Sequence, residues 1–236
     1  MFRDIPRDSR QVAVLIEFRK HPYIEYVMRN VMYFLGPEWG LQVFVWRKNR
    51  EFMENILRDW SHVDIVELPE QSPGYIPQDA VMRSEEFWQG VKGETQLFFD
   101  LDSLLCRHGI EDFADYDFVA APWLPGYAVS PACRFGSGGL SLRKKSAMLD
   151  VIRTVNTRDV IVGREDLMFS VHLHLNRGRY RLPSVETAQS FAVECVYHPR
   201  PLGLHRSWVC LPDKQLQELL ERIEYRHGVT EPTAAG

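Results

Sequence analysis

The feature that most constrains this chain is a regular exchange, through its N-terminal half, between short apolar runs and segments of helical period. VAVLIEF (12–18) is rich in β-branched residues and too short for a buried helix, so it predicts a strand. HPYIEYVMRNVMYFLG (21–36) then spaces Ile24, Val27, Met28, Val31, Met32 and Leu35 three or four apart and ends on glycine, the pattern of an amphipathic helix with a C-terminal stop. LQVFVWR (41–47) predicts a second strand, EFMENILRDW (51–60) a second helix and VDIVEL (63–68) a third strand. A Pro/Gly loop, QSPGYIP, leads to a helix near 79–90 and the strand TQLFFDLD (95–102). Strand–helix–strand order with short connections implies an α/β fold. Its central sheet is mostly parallel, with helices on both faces, doubly wound through right-handed crossovers.

Beyond residue 103 the rhythm loosens, with strands expected near 117–121 and 138–143 and helices near 144–155, 165–175 and 213–226. No repeat or linker interrupts the 236 residues, so one domain over 1–228 is expected, followed by a disordered tail at 229–236. A formal charge of −4 and a pI near 6.1 argue against a general nucleic-acid or anionic-membrane binder, either of which needs a basic face. No apolar run reaches membrane-spanning length, and MFRDIPRDSR lacks the apolar stretch of a signal peptide. Cys106, Cys133, Cys195 and Cys210 have no short paired spacing, which reads as reduced thiols. The expected location is therefore cytoplasmic for a full-length chain, and luminal or anchored only for a piece cut from a longer one.

In open parallel sheets, ligands sit at the carboxyl ends of strands. LFFDLDSLL places Asp100 and Asp102 at such an end. Carboxylates one residue apart on an extended strand point the same way, so both can face one cation. Magnesium and manganese are commonly held by one or two carboxylates together with substrate phosphates. Asp-x-Asp also arises by chance as two solvated loop acids, so its weight rests on what accompanies it. CRFGSGGLSLRKKSAML (133–149) carries Gly136, Gly138 and Gly139, which allow close backbone approach to a ligand or simply make a tight turn. VGREDLMFS (162–170) puts Glu165 and Asp166 at a helix start, either as dipole-favoured caps or as a general base for a hydroxyl. GLHRSW (203–208) offers His205 as a metal ligand and Arg206 as a phosphate partner.

Asp-x-Asp, a glycine loop, x-Glu-Asp and a late histidine, in that order, resemble the shared core of Rossmann-like GT-A glycosyltransferases. More closely, ETQLFFDLDSLL, YDFVAAPW, GSGGLSLR, REDLMFS, FAVE and GLHRSW resemble a widespread, poorly characterised GT-A-like family. The opening IEFRKHPYIEYVMRNVMYFLG matches too, so the likeness runs from about residue 10 to about residue 210. Many members carry Gln-Thr-Asp where this chain has Asp100-Leu101-Asp102, which makes Asp102 the firmer ligand.

The resemblance implies a metal-assisted transfer of sugar from a nucleoside-diphosphate donor to a hydroxyl acceptor, with inversion. Asp100, Asp102 and His205 would hold Mn²⁺ or Mg²⁺ on the donor diphosphate. Glu17 and Arg19, at the end of the first strand, and Arg206 would meet the nucleotide. Gly138, Gly139, Trp123 and Trp208 would frame the sugar or acceptor, although Trp123 reads more readily as core packing. Asp166 would be the base and Glu165 its neighbour orienting the acceptor; retaining relatives share the fold. His172 and His174 read as structural, and Tyr116 with Asp117 as closing a turn. A sugar-phosphate nucleotidylyltransferase is the alternative enzyme, although the turn EFRKHPYIE lacks the glycine it needs. A degenerate, non-catalytic module binding sugar or a partner is the other alternative.

Overall fold

The computed structural model describes residues 6–69, 77–124, 126, 133–155 and 164–223. The tail expected at 229–236 and most of the loop QSPGYIP lie outside these residues.

β1 (Gln11–Ile16), β2 (Trp39–Val45) and β4 (Thr95–Phe99) are buried almost throughout, with β3 (Asp64–Glu67) lying half-buried at the edge. That burial is why their sequences run continuously apolar instead of alternating: a parallel strand covered on both faces has no solvent side. β1 lies between β2 and β4, parallel to both, and β3 extends the parallel run. Two strands from the less regular half complete the sheet. β7 (Leu140–Lys144) pairs antiparallel with β4, and β6 (Phe118–Ala120) antiparallel with β7, giving the order β3-β2-β1-β4-β7-β6.

α1 (Ile24–Leu35) and α2 (Arg47–Leu57) are the crossovers expected from the sequence. The helix expected near 79–90 is instead two, α3 (Pro77–Met82) and α4 (Glu85–Gly90). Ser84 is the reason: its hydroxyl accepts from the Phe87 N–H at 3.1 Å and starts a fresh helix. α5 (Lys145–Thr154) and α6 (Glu165–Leu175) follow the sequence expectation, and these four short helices pack on one another. Trp88 of α4 meets Phe98 of β4 and Phe169 of α6, which anchors that layer to the sheet.

A second, three-stranded sheet was not anticipated. β5 (Ser103–Leu105), β8 (Ala192–Val193) and β9 (Gly203–His205) form it in the order β5-β9-β8, with α7 (Val185–Phe191) leading into β8. Asn30 of α1 ties this sheet to the rest, donating to the Leu105 carbonyl at 3.0 Å and accepting from its N–H at 2.7 Å. α8 (Asp213–Glu221) closes the described chain. No helix among the described residues is long and apolar enough to cross a membrane.

Candidate active site

Strand direction assembles the site. β1 and β4 are parallel, so Glu17 and Asp100 emerge at the same edge of the sheet. β7 runs the other way, so its entry loop Ser137-Gly138-Gly139 arrives at that edge, and the Asp100 N–H donates to the Gly139 carbonyl at 2.7 Å. The chain then turns directly into β5, whose Ser103 pairs with His205 of β9. Arg206, in the left-handed region at φ 49°, donates its N–H to the Asp102 carbonyl at 3.1 Å. Residues a hundred positions apart thus meet because two short ladders share one corner.

Asp100, Asp102 and His205 each offer one ligand atom, all within 4.8 Å of one another. Two hard carboxylates and one imidazole at that spacing fit a divalent cation of the Mg²⁺ or Mn²⁺ class. His205 Nε2 lies 3.5 Å from Asp102 Oδ1, while its Nδ1 lies 3.0 Å from the Ser137 hydroxyl and 3.8 Å from Glu194 Oε1. Burial opposes charge on both partners, yet each lowers the other's cost. The Asp102 carboxyl is held below its usual range by the hydrogen bond and charge of His205, and His205 is held above its own by Asp102, Glu194 and Asp100. Asp100 moves up, chiefly through burial, although Gln78 donates to its Oδ1 at 2.9 Å.

Gly139 is required where it stands: a Cβ there would sit 2.1 Å from His205 Nε2. A Cβ on Gly138 would meet Glu165 Oε1 at 2.6 Å. Both glycines therefore let the His205 and Glu165 side chains approach their backbone closely.

A cavity of about 430 Å³ opens beside this cluster, with His205, Arg206, Ser137, Asp166, Glu194 and Trp123 among its walls. Asp166 is buried and paired with Arg164 at 2.8 Å. Glu165 turns away into the protein, where it pairs with the fully buried Arg143 through bonds of 2.8 and 3.1 Å. The Arg143 guanidinium sits over the rings of Trp88, Phe98, Phe118 and Phe169. Burial pushes the Glu165 carboxyl up, against the pull of Arg143, and Asp79 caps its N–H at 2.9 Å. Trp123 is half-buried on the cavity wall, whereas Trp208 is 57% exposed and lies outside the cavity lining.

Glu17 is buried at the end of β1 and receives three bonds from Arg19, each 2.8 Å. Arg19 reaches toward the acidic cluster closely enough to feel both Asp102 and Asp100. His174 is buried, with Nδ1 at 2.7 Å from the Ser170 carbonyl, and His172 lies half-buried beside Thr154, away from the cluster. Asp117 accepts from the Arg181 N–H at 2.7 Å, a bond across 64 residues of sequence that ties two distant segments together and does not close a local turn.

One expectation is corrected. Cys195 and Cys210 form a disulfide, with Cα atoms 4.9 Å apart, while Cys106 and Cys133 are free and buried. The pairing escapes a reading of spacing because the parallel β8–β9 ladder brings together residues 15 apart in sequence. Both cysteines line the cavity. Two functional candidates were also missed. Glu194 follows a two-residue strand too short to signal itself, and Ser137 was hidden among glycines.

The apo form of the glycosyltransferase GlyE of Streptococcus pneumoniae TIGR4 superposes with a TM-score of 0.54 at 12% identity, over 92% of this chain and 60% of that one. Residues 1–349 of TarS from S. aureus give a TM-score of 0.50 at 14% identity, over 70% and 55%. The chain thus spans about 60% of the length of GlyE, and at these identities the likeness establishes the GT-A-type fold. No curated protein sequence matches the chain. The model of a family described as proteins of unknown function, DUF5672, matches residues 71–205, a stretch that runs from before Asp100 to His205 itself. The chain belongs to the DUF5672 family.

Proposed function

We propose that this chain is a metal-assisted glycosyltransferase that moves a sugar from a nucleoside-diphosphate donor to a hydroxyl acceptor with inversion. The observation that carries the reading is the convergence of Asp100, Asp102 and His205 at the carboxyl end of β4, beside a cavity walled by Asp166. Asp100, Asp102 and His205 would hold Mn²⁺ or Mg²⁺, which supplies Lewis-acid neutralisation of the departing diphosphate. Arg19 and Arg206 add positive charge at the same edge, and Glu17 fixes the Arg19 guanidinium.

Asp166 takes the proton from the acceptor hydroxyl. The oxygen attacks the anomeric carbon, the bond from that carbon to the diphosphate oxygen breaks, and its electron pair leaves with the diphosphate. Glu165 shapes the site through Arg143, whose Nε donates to the Ser141 hydroxyl at 2.9 Å, and that hydroxyl donates to the Gly138 carbonyl at 3.1 Å. Trp123 offers a ring face to a sugar. Glu194 and Ser137 orient His205 through its Nδ1, which leaves Nε2 toward the acidic pair.

The test is calorimetry and transfer assays with a panel of nucleoside diphosphates and nucleotide sugars, with and without Mn²⁺. Asp166→Asn keeps the shape and removes the base, so turnover should fall on the order of 10²–10⁴-fold while donor affinity holds. Asp102→Asn should weaken metal-dependent donor binding as well as turnover. Near wild-type transfer by Asp166→Asn would reassign the base and remove the inverting mechanism proposed here.

A further inference from the structure

A second cavity, of about 300 Å³, lies at the far end of the small sheet from His205. β5 and β9 run antiparallel from Ser103–His205 to Leu105–Gly203, and the ladder is continued where the Cys106 N–H donates to the Leu202 carbonyl at 2.7 Å. The cavity is therefore separated from the acidic cluster by roughly 10 Å of strand.

Among the described residues its walls carry three arginines, Arg107, Arg200 and Arg222, and no carboxylate. None of the three joins the ion pairs found among the described residues, which engage other arginines such as Arg143, Arg153 and Arg179. The hydrogen bonds they make go to neutral acceptors: Arg107 to the His108 carbonyl at 2.9 Å, and Arg222 to the Pro199 carbonyl. Glu218, one helical turn before Arg222, is engaged instead by the Tyr197 hydroxyl at 3.2 Å. In a chain whose formal charge is −4, three guanidinium groups around one hollow, none in an ion pair among the described residues, concentrate positive charge there, with Glu218 and Asp112 as carboxylates nearby.

The loop that carries Arg200 is stiff. Pro199 and Pro201 fix φ on both sides of it, and its N–H donates to His198 Nδ1 at 3.2 Å. Burial holds the His198 imidazole below its ordinary value, and the nearby charge of Arg107 adds to that. Leu219, fully buried, and Pro201 supply apolar walls, which strengthen electrostatic attraction inside. Mutual repulsion of the guanidinium groups is relieved by an anion with several oxygens, and the forked guanidinium matches phosphate geometry.

We propose that the Arg107–Arg200–Arg222 cavity binds a phosphate monoester, distinct from the acidic cluster and independent of the glycosyltransferase reading. The volume suits one phosphate with a small substituent, leaving the remainder of its carrier outside.

The experiment uses the full chain in excess chelator, so that a cation at Asp100 and Asp102 takes no part. Inorganic phosphate and glycerol 3-phosphate are titrated by calorimetry in chloride buffer, and vesicles of phosphatidic acid or of phosphatidylcholine are tested by co-sedimentation. Saturable binding of the phosphates or of phosphatidic acid vesicles is expected. Arg200→Gln and Arg222→Gln should each weaken it about tenfold or more, since each loses a charge-assisted pair. Arg200→Lys should fall between, retaining charge without the fork, and Asp102→Asn should bind like wild type. Soluble phosphates alone assign the ligand to a free ester, and phosphatidic acid vesicles alone to a lipid headgroup. Absence of saturable binding in both arms, or binding that the Arg200→Gln/Arg222→Gln double variant leaves intact, overturns the site. Arg200 and Arg222 are exposed, so these variants should keep the wild-type melting temperature in the absence of ligand.

Discussion

The Arg143 guanidinium is fully buried, its only carboxylate partner among the described residues is Glu165, and four aromatic rings surround it. Removing one member of a buried pair strands the other, at a typical cost of about 3–5 kcal/mol. Arg143→Met should therefore destabilise the chain by about that much in denaturant titration. The Arg143→Met/Glu165→Gln double variant should lose clearly less than the sum of the singles. The pH dependence has a definite sign. Burial already raises the Glu165 carboxyl above its ordinary 4.5 in the folded state, and loss of Arg143 removes the group that opposes that rise. The folded state then binds more protons than the unfolded, so stability falls as pH rises above the ordinary carboxylate value. The deficit of Arg143→Met should accordingly be smaller at pH 5 than at pH 8, and a larger deficit at pH 5 would contradict this account.

At the scale of elements, legibility followed length. β1, β2 and β4 announce themselves because each is a run of buried apolar residues, and α1 because its apolar positions recur at helical spacing. β8 has two residues and β5 and β9 three, too few to show any period, so the second sheet was invisible although it places His205. The Asp100–Asp102 motif stands out in the sequence, yet β4 ends at Phe99 and the pair lies in the turn into β5, not on the extended strand the spacing implied. That turn is closed by the Ser103 N–H donating to the Asp100 carbonyl at 3.0 Å. Glu194 and Arg143 meet their partners only across long stretches of sequence. The Cys195–Cys210 bridge belongs to the same class: it joins the exit of β8 to the turn after β9. Closing a loop of that length contributes roughly 3 kcal/mol in the chain-entropy description. Cys195→Ser/Cys210→Ser should lose about that much stability. Burial pushes both Cys106 and Cys133 up to about 12, and the thiolate is the reactive form. Alkylation of the native protein at pH 8 should label no cysteine before reduction and only Cys195 and Cys210 after it, as read by peptide mass spectrometry. Labelling of all four without denaturation would contradict the packing described here.

For the whole molecule, charge decides what the sheet edge accepts. Glu17, Asp100 and Asp102 stand at one end of β1 and β4, and the rise of the Asp100 carboxyl, chiefly from burial, carries contributions from both of its acidic neighbours. A nucleoside diphosphate approaching that edge alone meets carboxylates, and Arg19 is already engaged with Glu17. A divalent cation reverses the sign of the corner, so cation and diphosphate should bind as a pair and each should raise the affinity of the other. A ligand that binds only the native state stabilises it by about 2.7 kcal/mol at a hundredfold excess over its Kd, which for a chain of this size corresponds to roughly 5–10 °C in Tm. Mn²⁺ with the preferred diphosphate should produce a shift of that order, either alone should produce little, and excess chelator should abolish it. Asp102→Asn should erase the shift, read against the variant's own ligand-free Tm because the substitution also removes the carboxylate that pairs with His205 at 3.5 Å. Equal stabilisation by the diphosphate in chelator would mean that the acidic corner is not where the nucleotide binds.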